Sequence, residues 1–124
     1  MLGFPEDAVA RLHEYQGKTL LKKQGLEIPS GMVVRSPEEA GEVFQSLQGH
    51  GAERVVLKIQ AWITGRKAVG GVQFAQSVEE AEAAASVMLG MKFGHFPVQE
   101  VLVEECVAIA HELFVSLTID DAAR

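Results

Sequence analysis

Between Arg54 and Ala75 the chain reads R-V-V-L-K-I-Q-A-W-I-T-G-R-K-A-V-G-G-V-Q-F-A, and no other stretch constrains the fold as tightly. Val55, Val56 and Leu57 form a short apolar run of the kind that makes a strand buried on both faces. Lys58 follows directly and sets an ammonium at the inner end of that strand, where burial is costly without an anion to meet it. Gly65-Arg66-Lys67 adds two cations beside a glycine, and Gly70-Gly71 opens a second strand over Val72 to Ala75. Two neighbouring strands that deliver cations to one flexible turn suit a polyphosphate. Glycine lets the backbone approach the phosphates, and lysine and arginine neutralise them.

The flanking elements follow from local signals. Asp7 or a near neighbour is expected to cap a first helix that runs to about Gln24. Leu12, Tyr15, Thr19 and Leu20 lie near one stripe of it, and Lys22 and Lys23 sit at the end that favours cations. Gly25 is its stop. After the turn at Ile28-Pro29, Met32 to Val34 reads as a strand. Ser36-Pro37-Glu38-Glu39 offers an N-cap, a proline at the first helical position and a glutamate at the third, so a helix starts there. Its apolar face is Ala40, Val43, Phe44 and Leu47, and Gly49 to Gly51 end it. The same signal returns as Ser77-Val78-Glu79-Glu80 and opens a helix that buries Ala81, Ala84, Ala85, Met88 and Leu89 before Gly90. Met91 to Pro97 reads as a connection, and Val98 to Glu104 as a strand. His111 to Ile119 alternates, with Leu113, Val115, Leu117 and Ile119 on one face, and so predicts another strand. Asp120-Asp121 is expected to be a hairpin turn. Strands alternating with helices indicate an α/β class with two strand–helix units in one small sheet.

Composition excludes several functions. A chain of 124 residues is at most one domain. Its net charge of −6 argues against a general nucleic-acid binder, whereas local cations in an acidic chain suit a small polyanion. The single cysteine, Cys106, rules out an intramolecular disulfide and fits a reducing compartment. No apolar run approaches the ~20 residues needed to span a bilayer, so no membrane partner is expected. Met1 to Ala10, with Pro5, Glu6 and Asp7, is neither a signal peptide nor a basic transit peptide, which leaves the cytoplasm as the expectation. His13, His50, His95 and His111 make no metal-ligand spacing with one another or with cysteine or aspartate, so no zinc site is expected.

Three pieces in order resemble the nucleotide-binding region of the ATP-grasp β-subunits of succinyl-CoA synthetase (succinate–CoA ligase). The first is L-H-E-Y-Q at Leu12 to Gln16. The second is K-x-Q, a G-R loop and G-G-V, from Lys58 to Val72. The third is Val101-Leu102-Val103-Glu104 followed by Ile109-Ala110-His111-Glu112-Leu113-Phe114, similar to I-L-V-E-x-x-x-x-I-A-x-E-L-Y. The resemblance implies an α/β (α+β) fold, the N-terminal ATP-grasp subdomain with the start of the second. Residues 1–124 would be a single partial ATP-grasp domain, about 26–98 the first subdomain and 99–124 the start of the second. The chain is therefore expected to be a fragment, inactive alone. The strand at His111 to Ile119 would leave an unpaired edge through which it could form a homodimer or swap.

By the same resemblance, Lys58 contacts nucleotide phosphate and the loop Gly65-Arg66-Lys67 closes over it. Glu104 and Glu112 orient the nucleoside, and Val107 stands at the hinge that reads the base. The loop departs from the family's G-G-R-G-K-A-G-G-V: Thr64 and Lys67 replace glycines, and Ala68 takes the lysine position. The implied ligand is ATP/ADP or GTP/GDP, with Mg2+ held by residues outside this chain. The implied reaction joins a carboxylic acid to coenzyme A through an acyl phosphate, in the tricarboxylic acid cycle. The implied partner is an α-subunit that carries the phosphohistidine, so none of the four histidines here takes that role. Malate–CoA ligase and the citryl-CoA synthetase or ATP-citrate lyase branch are alternatives within the class. A non-catalytic nucleotide-sensing or interaction module is the alternative outside it.

Overall fold

A computed structural model describes residues 11–63 and 65–117. The elements run in the order α1 (Glu14–Lys23), β1 (Gly31–Val34), α2 (Pro37–Gly49), β2 (Val55–Ile59), β3 (Val72–Ala75), α3 (Val78–Leu89), β4 (Lys92–Phe93), β5 (Phe96–Pro97) and β6 (Val101–Glu105). The helices α2 and α3 begin where their sequence signals place them. Ser36 Oγ accepts the Glu39 N–H at 3.2 Å and Ser77 Oγ accepts the Glu80 N–H at 3.1 Å. Each glutamate in turn accepts the amide just before the cap, from Arg35 at 2.8 Å and Gln76 at 2.7 Å, so two otherwise unpaired donors are met at each helix start. α1 and α2 end at Gly25 and Gly51, whose φ of 87° and 99° allows the following amide to bond back to the last turn.

The sheet order is β1-β6-β2-β3 and every pairing is antiparallel. β1 and β2 therefore point the same way on either side of β6, and each of the helices α2 and α3 carries the chain across one intervening strand. Both helices lie on one face, over Val34, Val55, Leu57, Ile59, Ala75, Val101 and Val103. The predicted face of α2, Ala40, Val43, Phe44 and Leu47, is buried in full, as are Ala81, Ala85 and Met88 of α3. Ala84 and Leu89 pack at the margin of that core. α2 and α3 also pack against each other, so the core is a two-layer sandwich of helix on sheet.

Four expectations are corrected. First, α1 starts at Glu14 behind an extended His13, whose amide is held by Gln16 Oε1 at 2.8 Å; Asp7 lies outside the described residues. Its apolar stripe is not buried, since Leu12 and Leu20 are half exposed and no α1 residue is buried. Second, Met91 to Pro97 is not a plain connection: Phe93 pairs with Phe96 and Lys92 with Pro97 in a small hairpin. Third, the strand expected over Val98 to Glu104 runs from Val101 to Glu105, and it is inserted between β1 and β2, where Val101 and Val103 complete the core. Fourth, residues 111–117 form no strand. Leu113, Phe114, Val115 and Leu117 stand 88–97% exposed, since alternation makes a strand only where something covers one face. The unpaired edge expected there, and the homodimer argued from it, therefore lose their basis among the described residues. Ile119 and the Asp120-Asp121 turn lie outside them.

Candidate functional site

The sheet face away from α2 and α3 carries the charged groups. On β2, Leu57 and Ile59 point into the core, so Val56 and Lys58 point to the opposite side. The register sets Val56 opposite Glu104 and Lys58 opposite Leu102, which leaves Lys58 and Glu104 diagonal neighbours on that face. Lys58 Nζ meets Glu104 Oε1 at 2.7 Å and Glu14 Oε1 at 2.9 Å. Lys18, one turn along α1 from Glu14, repeats the bridge: its Nζ lies 2.7 Å from both oxygens of Glu104 and 3.1 Å from Glu14 Oε1. Two carboxylates and two ammoniums thus close a ring. Arg66 joins from the loop, giving Glu14 Oε2 a bond of 2.7 Å and the Ile59 carbonyl one of 3.1 Å.

Burial grades the ring. Glu104 is 3% exposed, while Glu14, Lys18, Lys58 and Arg66 are 20–29% exposed. Gly31, opposite Glu104 on β1, makes room for it: a Cβ there would fall 2.5 Å from the Glu104 Cβ. Burial alone raises the Glu14 pKa, but the bonds from Lys58 and Arg66 outweigh it and bring the group down to about 2. Burial pulls Lys58 down, and its bonds to Glu104 and Glu14 outweigh that and hold it above the ordinary lysine value. Three cations face two carboxylates, so the cluster keeps an excess of one positive charge.

Gln60 ties the same helix down. It is 5% exposed; its Oε1 accepts the Tyr15 amide at 3.2 Å and its Nε2 donates to the carbonyls of Lys58 and Ile59. The Tyr15 hydroxyl donates towards Glu100 at 3.3 Å, and Glu100 also binds Arg35 at 2.7 Å. Burial and the Glu100 charge raise the Tyr15 pKa. Two clefts flank the ring. One, of about 440 Å³, is lined by Arg11, His13, Glu14, Trp62 and Arg66. The other, of about 430 Å³, runs between α1 and β1 past Tyr15, Lys18, Arg35 and Glu104. His13 stacks on Trp62 at the first, with ring centroids 4.5 Å apart.

Of the expected site residues, the fold brings Lys58, Arg66 and Glu104 together. Gly65 sits exposed in the turn before Arg66 with a φ of 69°, and Lys67 is exposed and takes no part in the ion pairs among the described residues. Val107 lies past the opposite end of β2, beside Arg54 and Gly51. Glu112 belongs to the exposed segment after β6 and joins no contact with the ring among the described residues. The residues missed from sequence are Glu14, Lys18 and Gln60. For Glu14 and Lys18 the sequence carries only an ambiguous signal, a carboxylate and an ammonium one turn apart in L-H-E-Y-Q-G-K together with a strand-end Lys58 in need of an anion, and for Gln60 it carries none. Among the described residues no group of three histidine, cysteine or acidic side chains is placed to hold a metal, and no helix is long and apolar enough to cross a membrane.

Residues 11–124 match a family described as "ATP-grasp domain". Among similar proteins, the ADP-forming succinate–CoA ligase β-subunit of Desulfurococcus amylolyticus is 39% identical over 114 residues, 92% of this chain and 29% of that protein. The ADP-forming β-subunit of Acidobacterium capsulatum is 40% identical over 120 residues, 91% of this chain and 31% of that one. The GDP-forming β-subunit of Thermus thermophilus is 39% identical over 113 residues, again 91% and 29%. The chain spans about three-tenths of the length of these relatives. With that match over residues 11–124, and with helices packed on an antiparallel α+β sheet, the chain belongs to the ATP-grasp family.

Proposed function

We propose that this chain forms the phosphate-binding half of the nucleotide site of an acid–CoA ligase β-subunit, with succinate as the parent acid. The observation that carries the reading is the convergence of Lys58, Arg66 and Lys18 on one sheet face beside a glycine turn, with one more cation than carboxylate. A nucleotide's phosphates would enter the cleft by Trp62, where Arg66 meets them from the turn, and Lys58 would be reached behind Glu14, the lining carboxylate it bonds. When bound, the nucleotide supplies a transferable phosphoryl group. The chain's own residues position it and offset its charge, the usual division of work in phosphoryl transfer.

Glu104 takes a different part in this reading from the nucleoside contact implied by resemblance: its carboxylate is filled by Lys58 and Lys18, so it anchors the cations. Identity of 39% to both an ADP-forming and a GDP-forming relative favours neither base. We place the division between subdomains after β6, with residues 106–124 leading into the second. Val107, Lys67 and Glu112 would reach the nucleotide only with the rest of the clasp in place. An α-subunit partner, a cytoplasmic setting and Mg2+ bound by residues outside this chain belong to the same proposal, as does the inactivity of the chain by itself.

Calorimetric titration of the chain with ATP, ADP and GTP tests it. Binding is expected, and Lys58→Ala should weaken it roughly tenfold or more, the value of one charge-assisted bond. No heat with any nucleotide, or equal binding by the variant, would refute the phosphate site and favour the non-catalytic interaction module.

A further inference from the structure

Glu14 occupies the place an incoming phosphate needs. Its two oxygens span Arg66 at 2.7 Å and Lys58 at 2.9 Å, the two cations assigned to the nucleotide. The two carboxylates of the ring are not equivalent. Glu104 is buried on a central strand, fixed by Lys18 through both oxygens, and cannot leave without opening the sheet face. Glu14 is one-fifth exposed and sits on the first residue of a helix that buries no side chain in the core. α1 is held to the sheet by charges and hydrogen bonds at Glu14, Tyr15 and Lys18 rather than by apolar packing.

Resting on the phosphate-site reading above, we propose that Glu14 is a stand-in anion. It keeps Lys58 and Arg66 aligned and neutralised in the absence of ligand, and is displaced when a polyphosphate enters. With Glu14 in place the cluster carries three cations against two carboxylates; with it turned away, the same cations face Glu104 alone. Displacement thus raises the positive charge offered to the ligand by one unit, and the ligand takes over the bonds that Glu14 gives up. The exchange also acts on the start of α1, because His13, the residue that precedes Glu14, stacks on Trp62. Entry of the anion should loosen that stack.

The chain contains one tryptophan, so its emission reads this contact without labels. The experiment titrates the native chain and Glu14→Gln with inorganic tripolyphosphate, following heat and Trp62 fluorescence together. Expected are a Trp62 change in the native chain with the same midpoint as the heat, and roughly fivefold tighter binding by Glu14→Gln, which keeps the side-chain shape and removes the competing charge. A merely structural Glu14 would give the opposite, weaker binding in the variant. Native binding with no Trp62 change, or a variant that binds equally or more weakly, overturns the stand-in role and leaves the phosphate site standing. No binding by either chain overturns both. Should the variant fail to fold by circular dichroism, the native Trp62 response decides alone.

Discussion

Replacing Glu104 by glutamine tests whether the charged ring holds the protein together. The carboxylate is 3% exposed and takes three contacts of 2.7 Å, two from Lys18 and one from Lys58. Glutamine keeps the shape and one acceptor oxygen, but it removes the charge and turns an NH2 donor towards two ammoniums. Breaking a buried pair from one side costs ~3–5 kcal/mol in general. Here Lys18 and Lys58 are 22–23% exposed and recover part of that from water and from Glu14, so the loss should be about 2–3 kcal/mol. For a domain of this size that lowers Tm by roughly 10–20 °C. The assay is thermal and urea unfolding by circular dichroism at neutral pH, repeated at ~0.1 and ~1 M salt, where exposed pairs are screened and buried ones are not. Lys58→Met alone should cost less, because Lys18 still satisfies Glu104, and the double variant should show a coupling of about 1 kcal/mol or more. A fall in Tm below about 3 °C, or a loss that high salt removes, would mean the ring is no more than a surface ion pair.

The remaining predictions concern the same helix, strand and caps. Glu14 falls from 4.5 to about 2 on folding, so its contribution is complete above the unfolded value and is lost as pH drops through the folded one. The shift corresponds to at most ~3 kcal/mol, and with part of the group in water about 1–2 is expected. Acid unfolding of the native chain compared with Glu14→Gln should show the difference closing between those two pH values, and parallel curves would contradict it. Gly31→Ala should lose about 2 kcal/mol, because its Cβ would meet backbone as well as the Glu104 side chain, at 2.5 Å from the Val103 carbonyl; an unchanged Tm would refute the close approach. Ser36→Ala and Ser77→Ala should each lose ~1 kcal/mol through an unmet amide at the helix start, read by urea unfolding.

What could be read from sequence is what neighbours along the chain decide. Ser36 and Ser77 cap their helices by reaching three residues ahead, and the face Ala40, Val43, Phe44 and Leu47 is set by helical spacing alone. Val55 to Leu57 became a central strand because no polar side chain interrupts the run. The order of the sheet was not legible. Placing β6 between β1 and β2 depends on pairings such as Gly31 with Glu104, and no local pattern carries that. The β4–β5 hairpin has two residues in each strand, too few for alternation to register. Residues 111–117 show the reverse error: the alternation is present, and nothing among the described residues covers either face.

The site divides along the same line. That Lys58 and Arg66 lie close together was legible because a strand end and the turn that follows it are neighbours along the chain. Glu14 and Lys18 were not, since a glutamate four residues before a lysine is the ordinary pattern of a solvated helix face. What distinguishes this pair is Lys58, which an apolar strand carries into a place where an ammonium cannot stay unmatched. Glu104 supplies one partner from the neighbouring strand, and Glu14 must come from outside the sheet to supply the second. A helix with no buried side chain is thereby held at the face where a ligand would enter. Its attachment and the cations' readiness for an anion are consequently one property. Any change that weakens the hold of Lys58 on Glu14 should loosen the first turn of α1 and the cationic turn together, while Lys18 on Glu104 and Tyr15 on Gln60 keep the rest of the helix in place.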